Sequence, residues 1–298
     1  KKLSHFPVMV NEIISFIRPQ NNGIYLDCTF GQGGYTKAIF KESENANIVA
    51  IDQDSEAKIF VEEISKEFKN NFFFFCNKFS EIDTVIKKID QAQFDGILLD
   101  LGMSNTQLNN PSRGFSFEKD GPLDMRMDFN NNKLTAKEII NNYSERDLAN
   151  IFYYYGEEKN SRKIAKQIIN SREKASINTT SELSKIIKRV NFDRFKNPST
   201  RVFQALRIYV NDELNELEFF LNKSINILKK KGRIAIIAFH SLEDRIVKNF
   251  IKKQSELSGQ LKIVTKKPVL PSPSEIKINS RSRSAKLRVA EKIWSVYP

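Results

Sequence analysis

The sequence predicts an α/β fold in which a parallel sheet is interrupted by a helical insertion. Short apolar runs alternate with amphipathic segments up to Leu101, and a similar alternation resumes at Ile234. Continuous apolar strands separated by helices are typical of a parallel sheet that helices cover on both faces. We therefore expect residues 1–104 and 201–298 to form one sheet domain, with a loop and helical insertion at residues 105–200.

The elements of the first part follow from hydrophobic periodicity and from turn residues. Helices are expected over Val8–Ile17, from Thr36, over Ser55–Phe68 and over Glu81–Ile89. Strands are expected at Ile24–Leu26, Ile48–Ile51, Phe72–Cys76 and Gly96–Leu99. The four consecutive phenylalanines in the third of these strands predict that it is fully buried.

The middle of the chain has loop chemistry followed by helix starts. The segment Leu101–Asn132 is rich in Gly, Pro, Asn, Ser and Asp, and a loop of this length is usually functional or disordered. Patterns of Ser or Thr followed three residues later by an acid then predict helix starts at Thr135, Ser144 and Thr179.

The last part returns to the sheet pattern. A long helix is expected from about Thr200 to Lys229, closed by Gly232. Further elements are expected in the order strand Ile234–Phe239, helix Leu242–Gln254, strand Leu261–Thr265 and strand Leu287–Lys292.

The composition favours a polyanionic partner. The formal net charge of +12 attracts nucleic acid, although solubility or a lysine-rich genome also accounts for such a charge. No apolar run reaches the roughly 20 residues that a membrane span needs. The two cysteines have neither disulfide nor metal-site spacing. We expect a cytoplasmic protein without membrane anchor or metal.

Acidic residues follow three of the predicted strands, namely Asp27, Asp52 and Asp100. Because ligands bind outside the carboxyl ends of parallel strands, these side chains are expected to converge on one pocket. The turn Gly31–Gly34 lets the backbone approach a ligand closely. Asp52 has the usual position of a carboxylate that accepts hydrogen bonds from ribose hydroxyls, and Asp54 is the neighbouring alternative.

The glycine turn departs from two common nucleotide motifs. A dinucleotide fingerprint requires Gly or Ala where Thr36 stands, and no lysine follows the glycines as in a phosphate-binding loop. The pattern therefore indicates an adenosyl ligand without a pyrophosphate. S-adenosylmethionine fits, with the glycine backbone beside its methionine half, Asp52 at the ribose, and Phe79 and Asp100 flanking the remainder.

Longer motifs then carry a specific resemblance. In chain order they are Asp27-Cys-Thr-Phe-Gly-Gln-Gly-Gly, Gly96-Ile-Leu-Leu-Asp-Leu-Gly-Met-Ser104, Arg113-Gly-Phe-Ser-Phe117, Asp120-Gly-Pro-Leu-Asp-Met-Arg-Met-Asp128, Tyr155-Gly-Glu-Glu158, Phe239-His-Ser-Leu-Glu-Asp-Arg-Ile-Val-Lys248 and Ser280-Arg-Ser-Arg-Ser284. From His5 to Lys292 the chain closely resembles the bacterial 16S rRNA cytosine-N4 methyltransferases of the RsmH/MraW type. The resemblance implies a class I, Rossmann-like S-adenosylmethionine-dependent methyltransferase sheet that acts on 16S rRNA within the small ribosomal subunit.

The resemblance also implies a set of cofactor contacts. They are Gly33, Gly34, Tyr35, Asp52, Phe79, Asp100 and Gln107. Tyr35 stands where many members carry His, and Cys28 stands where Gly is common. A contact through the backbone N–H of Tyr35 tolerates the first change.

Cytosine N4 is a poor nucleophile because its lone pair is conjugated into the ring, so the enzyme has to orient it and accept its hydrogen bonds. Asp100 and Asp124 are the candidate catalytic acceptors. In other amino methyltransferases, prolines and an aromatic residue follow the corresponding acid or amide, whereas Asp100 is followed by Leu-Gly-Met-Ser104. For Asp124, a loop-ordering salt bridge with Arg126 is an equal alternative.

The candidate substrate contacts are Arg126, His240, Arg281 and Arg283. His240 follows the fifth strand, where a local hydrogen-bonding role is the alternative. Arg281 and Arg283 belong to a basic run with Lys286 and Arg288 that is suited to phosphate contact, and a solvated loop is the alternative. A second basic surface is expected in the insertion, formed by Arg162, Lys163, Lys166, Arg172 and Lys174.

These observations favour N4-methylation of a cytidine in the decoding region of small-subunit rRNA. An amino methyltransferase of DNA or of another RNA shares the same scaffold, and an RNA-binding assembly factor with an inert pocket is a third reading. The intact glycine turn, Asp52 and Asp100 favour an enzyme. A monomer and a homodimer are both compatible with the sequence.

Overall fold

The computed structural model describes residues 7–89, 93–190 and 197–293, so His5 lies outside the described residues. The chain forms two compact units, one from residues 1–102 with 214–298 and the other from residues 103–213. The second unit thus continues beyond the predicted insertion. Within the described ranges, no helix combines the length and apolar character that crossing a bilayer requires.

The helices and strands follow one another in an order close to the predicted one. They are α1 Val10–Ile17, β1 Ile24–Asp27, α2 Gly34–Glu42, β2 Asn47–Ile51, α3 Lys58–Glu67, β3 Phe72–Phe75, α4 Ile82–Ile89, β4 Phe94–Asp100, α5 Asn105–Asn109, α6 Ala136–Asn142, α7 Glu145–Gly156, α8 Ser161–Arg172, α9 Thr180–Val190, α10 Ser199–Asn211, α11 Glu213–Ile227, β5 Leu228–Ala238, α12 Ser241–Glu256, β6 Leu261–Ile263, α13 Pro273–Ile278 and β7 Lys286–Lys292.

The first unit contains a seven-stranded sheet in the order β3-β2-β1-β4-β5-β7-β6. Strands β1 to β5 run parallel to one another, whereas β7 is antiparallel to both β5 and β6. Apolar side chains fill separate cores on the two faces of the sheet. The predicted α/β class with a mostly parallel sheet is confirmed.

The expectation that the phenylalanine strand is fully buried is wrong. Strand β3 pairs with β2 alone and forms an edge of the sheet. Phe72 is buried, whereas Phe73 is 45% exposed. Successive side chains of a strand point to opposite faces, and at this edge only one face is well covered.

The predicted continuous helix from Thr200 to Lys229 is also wrong. It is divided at Asp212, whose φ of 52° ends α10 in the left-handed conformation that Asp and Asn tolerate best among non-glycine residues. Arg207 stabilises the break by pairing both its Nε and Nη2 with the Glu213 carboxylate at 2.8 Å.

Gly232 does not close that helix, because β5 already begins at Leu228 and contains it. The helix end is stabilised from elsewhere in the chain. The Nζ of the buried Lys292 donates to the carbonyl oxygens of Ile225 and Leu228 at 2.6 and 2.7 Å.

The second unit is helical around its own apolar core, to which the helices from α6 to α10 contribute. The predicted helix starts at Thr135 and Ser144 are confirmed, since each hydroxyl accepts the backbone N–H three residues later. Thr179 does the same for Glu182 before α9. The preceding loop is ordered in this structure by contacts described below.

Candidate active site

The carboxyl ends of β1, β2 and β4 bring three acids to one edge of the sheet. Asp27 lies opposite Ala50 of β2 and Leu98 of β4, which places Asp52 and Asp100 two residues further along their own chains. Beyond the effect of burial, the Asp100 carboxylate raises the pKa of Asp27, and the Asp27 carboxylate raises the pKa of Asp52, which is consistent with a shared site. The predicted convergence of the strand-end acids is therefore present in the first unit.

The glycine turn connects β1 to α2 at this edge. Gly33 has φ of 74°, and a Cβ there would lie 2.6 Å from a methyl carbon of Ile64, so a larger residue would be both strained and crowded. Helix α2 begins without a side-chain cap. The N–H groups of a helix's first turn have no acceptor within the helix, so they are suited to hold a carboxylate.

Asp52 faces this turn. One of its carboxylate oxygens accepts the Gly31 N–H at 2.7 Å, and the other accepts the Asp54 N–H at 2.9 Å. Each carboxylate oxygen has two lone pairs, so acceptor capacity remains for ligand hydroxyls. Desolvation raises the pKa of Asp52 to about 7. Asp54, the alternative ribose ligand, is buried and caps the next turn through the Glu56 N–H.

Asp27 is the most enclosed of the three acids. It is fully buried, accepts the Thr36 hydroxyl at 2.8 Å, and has a pKa raised by burial to about 6. Thr36, the residue at which the sequence departs from the dinucleotide fingerprint, therefore anchors α2 to the end of β1. Asp27 supports the glycine turn from beneath, a role that the sequence analysis did not assign.

Asp100 is held by two donors at the end of β4. Its Oδ1 accepts the Gly102 N–H at 2.9 Å, and its Oδ2 lies 2.9 Å from the Tyr35 hydroxyl. Desolvation raises the pKa of Asp100 to about 6, and the nearby Glu243 carboxylate raises it further. The same Tyr35 hydroxyl lies 2.7 Å from the carbonyl oxygen of Val8.

Phe79 begins the short turn after β3 and is partly exposed. Its ring packs edge-on against Phe220, with ring centroids 5.6 Å apart. This contact orients the ring, and its predicted role in cofactor binding stays a prediction.

In the second unit, Asp124 and Arg126 form the ion pair that the sequence left open. The guanidinium Nε and Nη2 donate to the two carboxylate oxygens at 2.9 and 2.7 Å, and Nη1 donates to the Asn132 carbonyl at 3.0 Å. The pKa of Arg126 is raised by its hydrogen bond to Asp124. The pair links two points of the loop and favours a loop-ordering role for Asp124.

A buried amide holds the same loop in a left-handed conformation. Met125 has φ of 64°, which a non-glycine residue adopts only where the surroundings impose it. The Asn211 side chain accepts the Met127 N–H and donates to the Met125 carbonyl, both at 2.8 Å. At Gly114, a Cβ would lie 2.1 Å from the Pro122 carbonyl oxygen, so the loop closes on itself through a glycine.

Gln107 is buried in the second unit, where it serves the start of α5. Its carbonyl oxygen accepts the Ser104 N–H at 3.0 Å, and its own N–H donates to the Ser104 hydroxyl at 3.2 Å. This reciprocal cap was not recognised from the sequence, although Ser104-x-x-Gln107 is its pattern. The predicted contact of Gln107 with a cofactor stays a prediction.

Comparisons with known proteins identify the chain. The sequence profile of the MraW methylase family matches residues 2–293. This chain belongs to the MraW methylase family. It is therefore a methyltransferase, and the family resemblance of its motifs is confirmed.

Two relatives within the MraW methylase family illustrate the similarity. A protein of Ehrlichia canis named ribosomal RNA small subunit methyltransferase H is 48% identical over 299 residues, covering 97% of this chain and 100% of that protein. A protein of Rickettsia bellii with the same name is 46% identical over 307 residues, covering 97% and 99%. Among solved structures, an rRNA methylase from Streptococcus thermophilus aligns with a TM-score of 0.43 at 10% identity, covering 96% and 94% of the two chains.

The MraW-family motif after β5 places His240 at the start of α12. His240 Nδ1 accepts the Glu243 N–H at 3.4 Å, and Nε2 lies 2.9 Å from a Glu243 carboxylate oxygen. The other oxygen of this buried carboxylate accepts the Phe239 N–H at 2.8 Å. His240 thus makes the local contacts that the sequence analysis gave as its alternative. Glu243 was missed, although the cap-like spacing His240-x-x-Glu243 marks it.

The MraW-family basic run near the C-terminus separates into two kinds of residue. Arg281 and Arg283 are exposed. Arg288 Nε donates to Asp244 at 2.6 Å, and Lys286 Nζ lies 3.4 Å from the same carboxylate. Lys286 and Arg288 are thus engaged with Asp244, and only Arg281 and Arg283 of this run stay predicted phosphate contacts.

Proposed function

We propose that this methylase transfers the methyl group of S-adenosylmethionine to N4 of a cytidine in the decoding region of small-subunit 16S rRNA. The observation that carries the proposal is the edge where the glycine turn meets the carboxyls of Asp27, Asp52 and Asp100. The names of the curated relatives support small-subunit rRNA as the substrate.

The charge of this edge fits a cationic adenosyl cofactor. Burial of neighbouring carboxyls raises the pKa values of Asp52 to about 7 and of Asp27 and Asp100 to about 6. A ligand that brings positive charge lowers the cost of ionising such groups, whereas a pyrophosphate raises that cost. When bound, S-adenosylmethionine supplies a methyl group activated by attachment to a positively charged sulfur.

The chain's own residues divide the binding tasks. The N–H groups at the start of α2 are suited to the methionine carboxylate, and Asp52 is suited to the ribose hydroxyls. The side chain of Phe79 offers an apolar face. The Tyr35 side chain points to Asp100 and Val8, so any contact of Tyr35 with the cofactor is made by its backbone.

Asp100 is the acceptor that we propose for the target amine. Its carboxylate retains lone pairs beyond those used by Gly102 and Tyr35. A hydrogen bond from the N4 amine orients the nitrogen lone pair, and a nearby negative charge stabilises the positive charge that develops as the N–C bond forms. The alkylated nitrogen is acidic, so its proton can leave to the carboxylate or to water.

The target cytidine has to be unstacked before its amine can be presented, so single-stranded or loosely paired rRNA is the expected substrate. Arg281 and Arg283 are exposed and suited to phosphate contact. His240 and Arg126 remain predicted substrate contacts, although each is engaged locally in this structure.

The decisive experiment is incubation with labelled S-adenosylmethionine and small subunits that lack the modification, followed by nucleoside analysis by mass spectrometry. We expect N4-methylcytidine at one position, and an Asp100→Asn variant that binds the cofactor but transfers methyl groups much more slowly. Methylation of another base or of DNA contradicts the proposed substrate. Cofactor binding without transfer to any nucleic acid contradicts the enzymatic proposal and supports an assembly role.

A further inference from the structure

The second unit carries a polar groove between the C-terminal half of α8, the turn that follows it, and α9. The groove has a volume of about 450 Å³, which is within the range of roughly 300–1,000 Å³ that ligand sites occupy. Its charged lining residues are Lys174, Glu182, Lys185 and Arg189.

The charges of the groove favour an anion. Lys174, Lys185 and Arg189 are exposed, and none of them forms an ion pair with a residue that the structure describes. Lys185 has one acidic neighbour outside the lining, Asp120, whose pKa is lowered by its hydrogen bonds to Ser181 and Thr179 and also by the charge of Lys185. The single acid, Glu182, uses a carboxylate oxygen to accept the N–H groups of Asn178 and Thr179 at 2.7 and 3.0 Å. Three cations face one acid, so the lining has a net charge of +2 (3 − 1).

The remaining lining suits a nucleotide better than a simple anion. Ile177 and Ile186 form the floor of the groove, and both side chains are almost completely buried. The amides of Gln167 and Asn170 lie on the same lining and can donate to and accept from a base edge. Cations that can contact phosphates beside amides that can bond to base edges suit a single strand, whose base edges are unpaired.

The structure also removes one residue from the basic surface expected in the insertion. Arg172 Nη1 donates to the carbonyl oxygen of Ile140 in α6 at 2.8 Å. Its guanidinium is therefore engaged in a contact inside the unit and is not assigned to the RNA surface. Lys185 and Arg189 come from α9, which the sequence analysis did not connect with that surface. The two helices together form the groove.

We propose that this groove binds a single-stranded segment of rRNA, with Lys174, Lys185 and Arg189 contacting phosphates. The inference deepens the proposed function and rests on it, because an rRNA methyltransferase has to hold its substrate beyond the target base. Phosphate contacts position RNA without reading its sequence, so this groove contributes affinity and register. The lining amides contribute at most a modest base preference.

The test compares two triple variants with the wild-type chain. The groove variant carries Lys174→Gln, Lys185→Gln and Arg189→Gln. The matched control carries Lys137→Gln, Lys159→Gln and Lys188→Gln, which removes the same charge from exposed positions of the same unit outside the groove. Binding of a fluorescein-labelled single-stranded oligoribonucleotide is followed by fluorescence anisotropy across a series of salt concentrations.

We expect the groove variant to lose about two units from the slope of log K against log salt, since each phosphate contact on a single strand contributes about 0.7. Its affinity falls roughly tenfold at moderate salt, whereas the control changes slope by less than one unit. Equal slopes for the two variants overturn the inference. Equally effective competition by a polyglutamate peptide of the same charge also overturns it and assigns the groove to an acidic protein.

Methyl transfer to small subunits separates this inference from the proposed function. If the wild-type chain methylates subunits and the groove variant has an unchanged KM, the groove inference fails and the proposed function stands. If the wild-type chain binds S-adenosylmethionine but methylates no subunit, the proposed function fails whatever the anisotropy shows. A raised KM with unchanged kcat and unchanged cofactor Kd supports both.

Discussion

The Tyr35 hydroxyl lies 2.9 Å from a carboxylate oxygen of Asp100 and 2.7 Å from the carbonyl oxygen of Val8. A hydroxyl has one proton and donates fully to one acceptor at a time. Burial raises the pKa of Tyr35 well above its ordinary value, so the proton stays on the hydroxyl. Tyr35 therefore connects the N-terminal segment to the strand-end acid that we propose as the amine acceptor.

Replacing Tyr35 with Phe tests whether this hydroxyl positions Asp100. The Tyr35→Phe variant is expected to lose about 1–2 kcal/mol of stability, because Asp100 and Val8 lose the one hydroxyl donor that they share. We also expect a lower kcat, since the Asp100 carboxylate is no longer oriented. Urea denaturation and single-turnover methyl transfer measure the two effects.

Tyr25 offers a matched control in the same unit. It is also buried, and its hydroxyl accepts the Gln20 N–H at 2.7 Å, with no bond to Asp100. Tyr25→Phe is expected to lower stability by a similar amount while kcat stays at the wild-type value. Equal kcat losses in the two variants, or none in Tyr35→Phe, would show that Tyr35 is structural only.

Asp52 is expected to make cofactor affinity depend on pH near neutrality. Burial raises the pKa of Asp52 to about 7 in the unliganded protein, and only the ionised form accepts hydrogen bonds through both oxygens. Below that pKa, affinity falls by up to about tenfold per pH unit, because binding has to release a proton. Calorimetry in buffers of different ionisation enthalpy measures both the affinity and the proton release.

The Asp52→Asn variant is expected to bind weakly at every pH and to lose the step near pH 7. Glu63→Gln serves as the control, because Glu63 is an exposed acid on α3 that pairs with Lys37. Its pH profile is expected to match the wild type. A wild-type profile in Asp52→Asn would rule out Asp52 as the ribose ligand.

The stability of the unliganded protein is expected to depend on pH in the opposite direction to its cofactor affinity. A carboxyl whose folded-state pKa is raised binds its proton more tightly in the folded protein than in the unfolded chain. The stability that it contributes is complete below about pH 4 and is lost as the pH rises through about 6 to 7. A saturating cofactor is expected to stabilise the protein more at pH 8 than at pH 6, which thermal unfolding with and without cofactor can measure.

Asp124 and Arg126 are expected to act as one unit. Asp124→Ala should lower turnover while cofactor affinity stays near normal, because the loop loses an ion pair whereas the cofactor loses no contact. If the role is loop order, Arg126→Gln has a similar effect, and the double variant Asp124→Asn with Arg126→Gln is little worse than either single change. A kcat loss in Asp124→Asn that far exceeds that of Arg126→Gln would instead indicate direct contact with the amine.

Asn211 is expected to be the residue on which the order of the Asp120–Asp128 loop depends most. Asn211→Ala removes one acceptor and one donor that hold the strained Met125 region, at an expected cost of roughly 2–4 kcal/mol. Limited proteolysis should then cut within the loop. Asn170→Ala, an exposed amide of the same unit, provides the control and is expected to leave the loop protected.

Arg281 and Arg283 are expected to contribute to RNA binding in a way that Arg288 does not. Replacing both exposed arginines with Gln should reduce the salt slope for single-stranded RNA by about 1.4, at about 0.7 per contact. Arg288→Gln should leave the slope unchanged and lower stability, because it leaves the half-buried Asp244 without its closest partner. An unaltered slope in the double variant would remove this segment from the RNA interface.

Several features of the site were predictable because they depend on short stretches of chain. The alternation of apolar runs and helices predicts the sheet, and the residue after each run predicts Asp27, Asp52 and Asp100 at its edge. The helix starts at Thr135 and Ser144 are equally local, since a hydroxyl caps a backbone N–H only three residues away. The motifs that identify the family are of the same kind, because each is contiguous.

Only the tertiary structure decided which atoms those residues face. The Tyr35 hydroxyl meets Asp100 across 65 residues, and Asn211 meets Met127 across 84. The break at Asp212, the exposure of Phe73 and the pairing of Arg288 with Asp244 depend in the same way on packing between distant segments. By itself, the sequence determined most of the elements, the strand-end acids and the family, because periodicity and local capping report preferences within a few residues. The partner of a side chain is decided by how the elements pack, which no local pattern records.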